Sequence, residues 1–237
     1  MNRIFYIVVK NLLRVPVWFY HIWKFGLPGD PHTQEQRYDY IRNVVKKINK
    51  TGRVDIHVHG TDNLPEENGF ILFPNHQGLF DVLALMDACP KPFTVVVKKE
   101  ASNLILVKQV LKALNGFSMD RQDIRASMEI INKMTEGVKL GKNYVIFPEG
   151  TRSREGNKML TFKGGTFKSA MKAKCPIVPV ALIDSFKPFD ENSSKKQIVQ
   201  VCFLKPLYEE DYQNMKTVEI AEMVHDKIME EINQKIG

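Results

Sequence analysis

The spacing of apolar residues changes several times along this chain, and each change marks an element. "VDIHVH" alternates Val54, Ile56 and Val58 with Asp55, His57 and His59, the two-residue period of a strand with one buried face. Five further runs, "GFILF", "FTVVV", "YVIF", "IVPVAL" and "QIVQVCFL", have the length and β-branched or aromatic content of strands, and the apolar "GFILF" and "IVPVAL" read as buried ones. Between them the period lengthens. "LFDVLALMDA" predicts a helix beginning near Gly78, and "LILVKQVLKAL", "IRASMEIINKMTEGV" and "VEIAEMVHDKIMEEI" predict three more. Strands alternating with helices predict an α/β domain whose central sheet, mostly parallel or mixed, is covered by helices.

The first fifty residues follow a different pattern. "RIFYIVVKNLLRVPVWFYHIWKFG" is dense in large apolar residues, and "QEQRYDYIRNVVKKINK" places Ile41, Val44, Val45 and Ile48 on one helical face. The turn-forming "GLPGDP" separates them. On a wheel of roughly 100° per residue, Arg3, Lys10, Arg14, His21 and Lys24 fall within about 80° and form one basic stripe on a helix that Pro16 should kink. Spanning a bilayer would put Lys10 and Arg14 near its centre at roughly 5 to 7 kcal/mol, which about a dozen apolar residues only just offset. Lying in the interface avoids that cost, and Trp18, Phe19 and Trp23 suit the headgroup level. A helix packed on its own domain is the other reading. There is no small-residue cleavage site of a signal peptide. The expected organisation is a two-helix membrane-association motif over residues 1–50 and an α/β domain over 51–237.

Composition narrows the partners. The 237 residues suffice for one sizeable domain, and 43% of them are hydrophobic. Thirty-four basic residues against 27 acidic give a net charge of +7, which favours an anionic partner, nucleic acid or membrane. Nucleic acid is disfavoured: no binding module is recognisable, and the basic stripe is interleaved with bulky membrane-type side chains. Cys89, Cys175 and Cys202 show no pairing or metal-ligand spacing and read as core residues of a protein in a reducing compartment. His57 and His59 form an H-x-H, but strand alternation explains it and no further ligand cluster is evident, so no metal is expected.

The candidate chemistry sits where strands end. In "FPNHQGLFD", His76 occupies the turn after a strand and Asp81 the first turn of a helix. A neutral imidazole can take a proton from a hydroxyl through one nitrogen while a carboxylate orients the other, so His76 reads as a general base and Asp81 as its orienter. On this pair alone, Asp81 as a helix cap and His76 as a polar turn residue is an equal reading. No G-x-S-x-G elbow supplies a nucleophile, so the hydroxyl to be activated belongs to the substrate. "YVIFPEGTRSR" is a second strand ending in a polar turn, where Gly150 allows close backbone approach and Arg152 offers a planar fork matched to phosphate oxygens. "NGFSMDR" adds Arg121, and "FKGG" follows with Lys163.

Taken in order, "NHQGLFD", "GFSMDR", "FPEGTRS" and "IVPVAL" resemble the four blocks of the glycerolipid acyltransferases typified by 1-acylglycerol-3-phosphate acyltransferase, over residues 75–182. The resemblance implies that His76 is the general base and Asp81 its partner. It further implies that Glu149, Gly150, Thr151 and Arg152, with Arg121, hold the phosphate of the acceptor. Lys163 reads either as a phosphate or carrier contact or as a solvated lysine at a helix start. Many members of that family carry serine where this chain has Gly78, a departure that bears on turn geometry more than on chemistry.

The implied reaction is direct acyl transfer. His76 deprotonates the free hydroxyl of lysophosphatidate, its oxygen attacks an acyl thioester, and phosphatidate and a thiol leave. The donor is acyl-CoA or acyl carrier protein as co-substrate, with no cofactor. The expected membrane-binding residues are Arg3, Lys10, Arg14, Trp18, Phe19, Trp23 and Lys24, holding the enzyme on the cytoplasmic face of an anionic cell membrane as a monotopic or peripheral protein. Two other readings stand beside this one: transfer to glycerol 3-phosphate or another lysophospholipid, and a noncatalytic phospholipid-binding protein.

Overall fold

Seven strands form one sheet in a computed structural model that describes residues 3–120 and 123–236. They are β1 (Val54–His59), β2 (Ile71–Pro74), β3 (Phe93–Lys98), β4 (Phe117–Met119), β5 (Asn143–Val145), β6 (Ile177–Ile183) and β7 (Gln197–Phe203), in the spatial order β1-β7-β6-β2-β5-β3-β4. The run from β6 to β4 is parallel throughout. β7 is antiparallel to β6, and β1 pairs parallel with β7, so the sheet is mixed. The five parallel strands therefore release their C-terminal ends at one edge, where open α/β sheets place their ligands.

The helices are α1 (Arg3–Lys10), α2 (Val15–Phe25), α3 (Gln34–Gly52), α4 (Asp81–Ala88), α5 (Ile105–Ala113), α6 (Ile124–Lys139), α7 (Lys168–Ala173), α8 (Lys187–Asp190), α9 (Glu209–Tyr212) and α10 (Thr217–Ile236). They cover both faces of the sheet. Phe70 and Leu72 join the cluster that contains residues of α2 to α5, while Ile71 and Phe73 join the cluster of α6, α7 and α10. Val178, Val180 and Leu182 of β6 face the first layer, and Ile177, Ala181 and Ile183 the second. Both faces are filled, which is why these strands read as continuous apolar runs.

The N-terminal segment departs from expectation in three respects. The single kinked helix is two helices, because residues 11–14 form a turn in which the buried Asn11 side chain donates to the Ile7 carbonyl at 2.9 Å. Pro16 sits in the first turn of α2, where its missing N–H has no partner to lose. Residues 1–50 are also not a separate two-helix motif in packing terms: Ile22 and Phe25 of α2 and Tyr38, Ile41 and Val45 of α3 belong to the main core. Third, Arg3 is not part of an exposed stripe. It is buried, and its guanidinium donates to the carbonyls of Gly52 at 2.7 Å, Ser193 at 3.0 Å and Lys195 at 2.7 Å, tying α1 to the C-terminal end of α3.

Smaller differences have local causes. α4 begins at Asp81 rather than near Gly78, because Asp81 turns its side chain back onto the preceding backbone amides. The three-residue β4 lies in "NGFSMDR", where the apolar pattern predicts no strand. Val58, expected to face inward, is 38% exposed on the edge strand β1. The three thiols are buried in the core, and burial pushes Cys89 up to about 11 and Cys175 and Cys202 up to about 12. Among the described residues, no helix is long and apolar enough to cross a membrane.

Candidate active site

The turn after β2 is held by its own side chains. Asn75, buried, accepts from the Leu182 N–H at 2.7 Å and donates to the Leu182 carbonyl at 3.0 Å, so its amide continues the β2–β6 pairing past the end of the strand. His76 then leaves the sheet with Nδ1 2.7 Å from Asp81 Oδ2. The same carboxylate accepts from the N–H of Gln77 at 2.7 Å and the N–H of Gly78 at 3.1 Å, and the Ser185 hydroxyl donates to its Oδ1 at 2.6 Å. An acceptor ringed by donors requires the proton on Nδ1, which leaves Nε2 with its lone pair. Asp81 is fully buried while the His76 side chain remains 22% exposed. Phe147 packs against the imidazole with ring centroids 4.1 Å apart and forms an apolar wall beside it.

The second turn, after β5, clasps the first. Glu149 Oε1 accepts the His76 N–H at 2.7 Å and Oε2 accepts the Leu160 N–H at 3.0 Å, while the Ser153 N–H donates to the His76 carbonyl at 2.9 Å. Both backbone polar groups of His76 are thus fixed by residues 149–153. This corrects the expectation for Glu149. Its carboxylate is 2% exposed and faces amides of its own chain, and burial raises its pKa above the ordinary glutamate range against the lowering effect of those two amides. Each of its oxygens is taken up by one of these amides, and through the His76 N–H it positions the base. Gly150 takes φ of 79°, a left-handed conformation that suits glycine and lets the chain double back after Glu149.

Thr151 is exposed at the tip of the turn, and Arg152 is half-buried with no ion-pair or hydrogen-bond partner among the described residues. Arg152 is one residue from Ser153, whose amide holds His76, so it belongs to the turn that clasps the base, and its guanidinium has the fork that grips an anion. Lys163 donates its backbone N–H to the Pro148 carbonyl at 3.0 Å and its side chain is exposed, so it borders the same turn. Arg121 lies outside the described residues. The strand that precedes it, β4, ends at the same edge.

Sequence reasoning missed a buried polar layer beneath the pair. Gln77 Oε1 accepts the Ser185 N–H at 2.9 Å, and Gln77 Nε2 donates to Asn157 Oδ1 at 2.8 Å. Asn157 in turn bonds the backbone and carboxylate of Asp184, both at 2.9 Å. Three loops, those after β2, β5 and β6, meet in this network. The available signal was that "IDS" follows a strand running parallel to β2 and must arrive at the same edge. Gly78 has a packing reason as well: a Cβ there would come within 3.0 Å of Phe186 Cα and 3.1 Å of Asp190 Oδ2, so the glycine lets the segment after β6 close over the turn.

The expected membrane residues divide. Lys10, Arg14, Trp23 and Lys24 are exposed, Phe19 is half-buried, and Trp18, like Arg3, is buried. Trp18 therefore belongs to the packing of α2, and it is the rest of that face that meets solvent.

A family model described as Acyltransferase matches residues 55–183, which include every residue of the His76 and Glu149 turns. Over 185 residues the chain is 30% identical to a 1-acyl-sn-glycerol-3-phosphate acyltransferase of Saccharomyces cerevisiae, covering 76% of this chain and 61% of that one. A protein of the same name from Bacillus subtilis is 28% identical over 206 residues, covering 84% of this chain and 94% of that one. The chain spans only about three fifths of the length of several such relatives, 59% of the one from Cocos nucifera. The crystal structure of the LPA acyltransferase PlsC from Thermotoga maritima shares the fold, with a TM-score of 0.70 at 22% identity, over 96% of this chain and 97% of that one.

Proposed function

The chain belongs to the Acyltransferase family, and on that premise we propose that it transfers a fatty acyl group from a thioester to the sn-2 hydroxyl of 1-acyl-sn-glycerol 3-phosphate, giving phosphatidate. The observation that carries this reading is the His76–Asp81 pair, 2.7 Å apart, with the carboxylate buried and the imidazole open at the C-terminal edge of the sheet. A binding protein has no use for a base oriented in this way. His76 Nε2 takes the proton of the acceptor hydroxyl as its oxygen attacks the thioester carbonyl. The C–S bond breaks, and the leaving thiolate recovers the proton from the imidazolium. Asp81 keeps the ring oriented throughout and favours its cationic form.

The acceptor is read from Arg152, a half-buried residue without a protein partner among the described residues in the turn that clasps the base, supported by the names of the relatives in yeast and Bacillus subtilis. Arg121 and Lys163 are proposed as further contacts of the phosphate or of the carrier. The exposed apolar residues of α1 and α2 fit a protein that works at an anionic membrane surface, where its acceptor resides. The test is purified protein with lysophosphatidate, glycerol 3-phosphate and other lysophospholipids as acceptors, each with acyl-CoA and acyl carrier protein donors, and products identified by mass. Phosphatidate as the main product supports the proposal. Preference for another acceptor overturns the substrate, and no transfer with any pair overturns the activity.

A further inference from the structure

The segment between β3 and α5 leaves the sheet at the same edge as the His76 turn, with the turn after β5 between them. β3 and β2 both pair parallel with β5, so the chain beyond Lys98 emerges at the edge that carries His76 and Arg152. There three consecutive apolar side chains face solvent: Leu104 at 60%, Ile105 at 72% and Leu106 at 56% exposure. They open α5 in an unusual manner for a helix start in water. Leu104 is its N-cap, without a side-chain cap hydrogen bond, and the first turn holds no acidic residue. Lys108 and Lys112 follow Leu104 at successive steps of four and are exposed as well.

Two observations connect this segment with the N-terminal helices. α5 packs against α2, and Gly26 at the end of α2 approaches so closely that a Cβ there would lie 2.8 Å from Lys112 Cβ. Charge follows the same boundary. Residues 1–29 contain four basic and no acidic residues, and residues 98–119 contain four basic and one acidic. These two segments hold the whole excess of 34 basic over 27 acidic residues, and the rest of the chain carries equal numbers of each. Lys98 and Lys99 are paired with Glu100 at 3.0 Å and Asp120 at 3.1 Å, which leaves Lys108 and Lys112 of α5 as the exposed basic residues without an ion pair among the described residues. Exposed apolar side chains and these charges coincide in adjoining elements, one of which begins at the catalytic edge, and an anionic lipid surface is the partner that takes up both.

We propose that Leu104, Ile105 and Leu106, with Lys108 on the next turn, form a second bilayer-inserting element that, with α1 and α2, turns the His76 edge towards the membrane. It rests on the reading of α1 and α2 as membrane-facing. One contact would leave the molecule free to pivot about it, whereas two adjoining contacts fix the tilt at which a lipid hydroxyl can reach Nε2.

The experiment places an environment-sensitive fluorophore on Ile105→Cys, which labels selectively because Cys89, Cys175 and Cys202 are buried. The labelled protein is mixed with vesicles of phosphatidylcholine and phosphatidylglycerol in equal parts, without acyl donor, so the result does not depend on the activity. The expected result is a blue shift on binding and quenching by lipids brominated in the acyl chain. The triple change Leu104→Ser, Ile105→Ser, Leu106→Ser should weaken vesicle binding by about tenfold or more with an unchanged circular dichroism spectrum. A label that stays aqueous on bound protein overturns the proposal and leaves α1 and α2 as the anchor. Loss of binding by Leu12→Ser, Leu13→Ser with the triple variant unaffected does the same. A response of the label to acyl carrier protein or to protein concentration, and not to vesicles, overturns it in favour of a protein partner.

Discussion

The Ser185 hydroxyl donates to Asp81 Oδ1 at 2.6 Å, joining the loop after β6 to the orienter of the base. Ser185 is fully buried and does not reach the reacting atoms, so it acts through Asp81. Ser185→Ala removes one of the donors that hold the carboxylate and should lower kcat about tenfold, the effect of losing a single charge-assisted hydrogen bond, while KM for acceptor and donor change little. A rise in both KM values with kcat preserved would show that Ser185 serves only the packing of the loop.

His76→Ala should reduce kcat/KM by roughly 10² to 10⁴ in a protein whose vesicle binding and thermal unfolding are near wild type, since the partly exposed imidazole packs against Phe147 at the rim of the core. Asp81→Asn should also be severe. The carboxamide presents its NH2 to donors that include the Gln77 and Gly78 amides, and it removes the charge that favours the imidazolium. A loss below tenfold in well-folded His76→Ala would remove it from the role of base.

Arg152→Ala should raise KM for the acceptor, or lower kcat/KM, far more for the acceptor than for the donor, because the guanidinium has no partner among the described residues to lose. Arg152→Lys should recover part of the difference, a point charge in place of a fork. Equal weakening towards both substrates would point to a disturbed turn.

The sheet and its chemistry were legible to different depths. β2 and β6 were plain because their residues alternate between two filled layers, leaving no polar position to interrupt the run. His76 and Asp81 were legible because they lie five positions apart in one turn. Glu149 and Ser185 were not, because their partners are 73 and 104 residues distant, and nothing local distinguishes a glutamate that binds its own amides from one that faces a ligand. Arg3 misled for the same reason: a helical wheel records direction around an axis, and it cannot show that a helix ends at residue 10 and turns its arginine onto backbone carbonyls contributed by residues 52, 193 and 195.

The raised pKa of Glu149 gives a stability signature. A carboxyl that holds its proton more tightly folded than unfolded stabilises the protein at low pH, and that contribution is lost as pH rises from the ordinary glutamate range through the raised value. Glu149→Gln cannot ionise, so its Tm relative to wild type should improve with rising pH across that window. Its NH2 must still face either the His76 or the Leu160 amide, so kcat should fall at every pH while acceptor KM stays close to wild type. A Tm difference independent of pH, or a selective rise in acceptor KM, would contradict the positioning role.

The membrane reading of α1 and α2 requires substitutions confined to their exposed side. Deleting residues 1–27 would remove Trp18, Ile22 and Phe25 from packed positions and the Arg3 clamp with them, so lost binding would not separate anchoring from folding. Leu12 and Leu13, 63% and 90% exposed, can be changed to serine without opening a cavity, as can Lys10, Arg14 and Lys24 to glutamine. Each charge near an anionic surface contributes about 1 kcal/mol, so the triple glutamine variant should bind anionic vesicles roughly a hundredfold less tightly at low salt. That difference should shrink as salt screens the surface, whereas the loss caused by the two serines should persist, because burial of apolar area does not depend on ionic strength in the same way. Binding indifferent to both sets would leave the exposed apolar residues of α1 and α2 without a lipid partner.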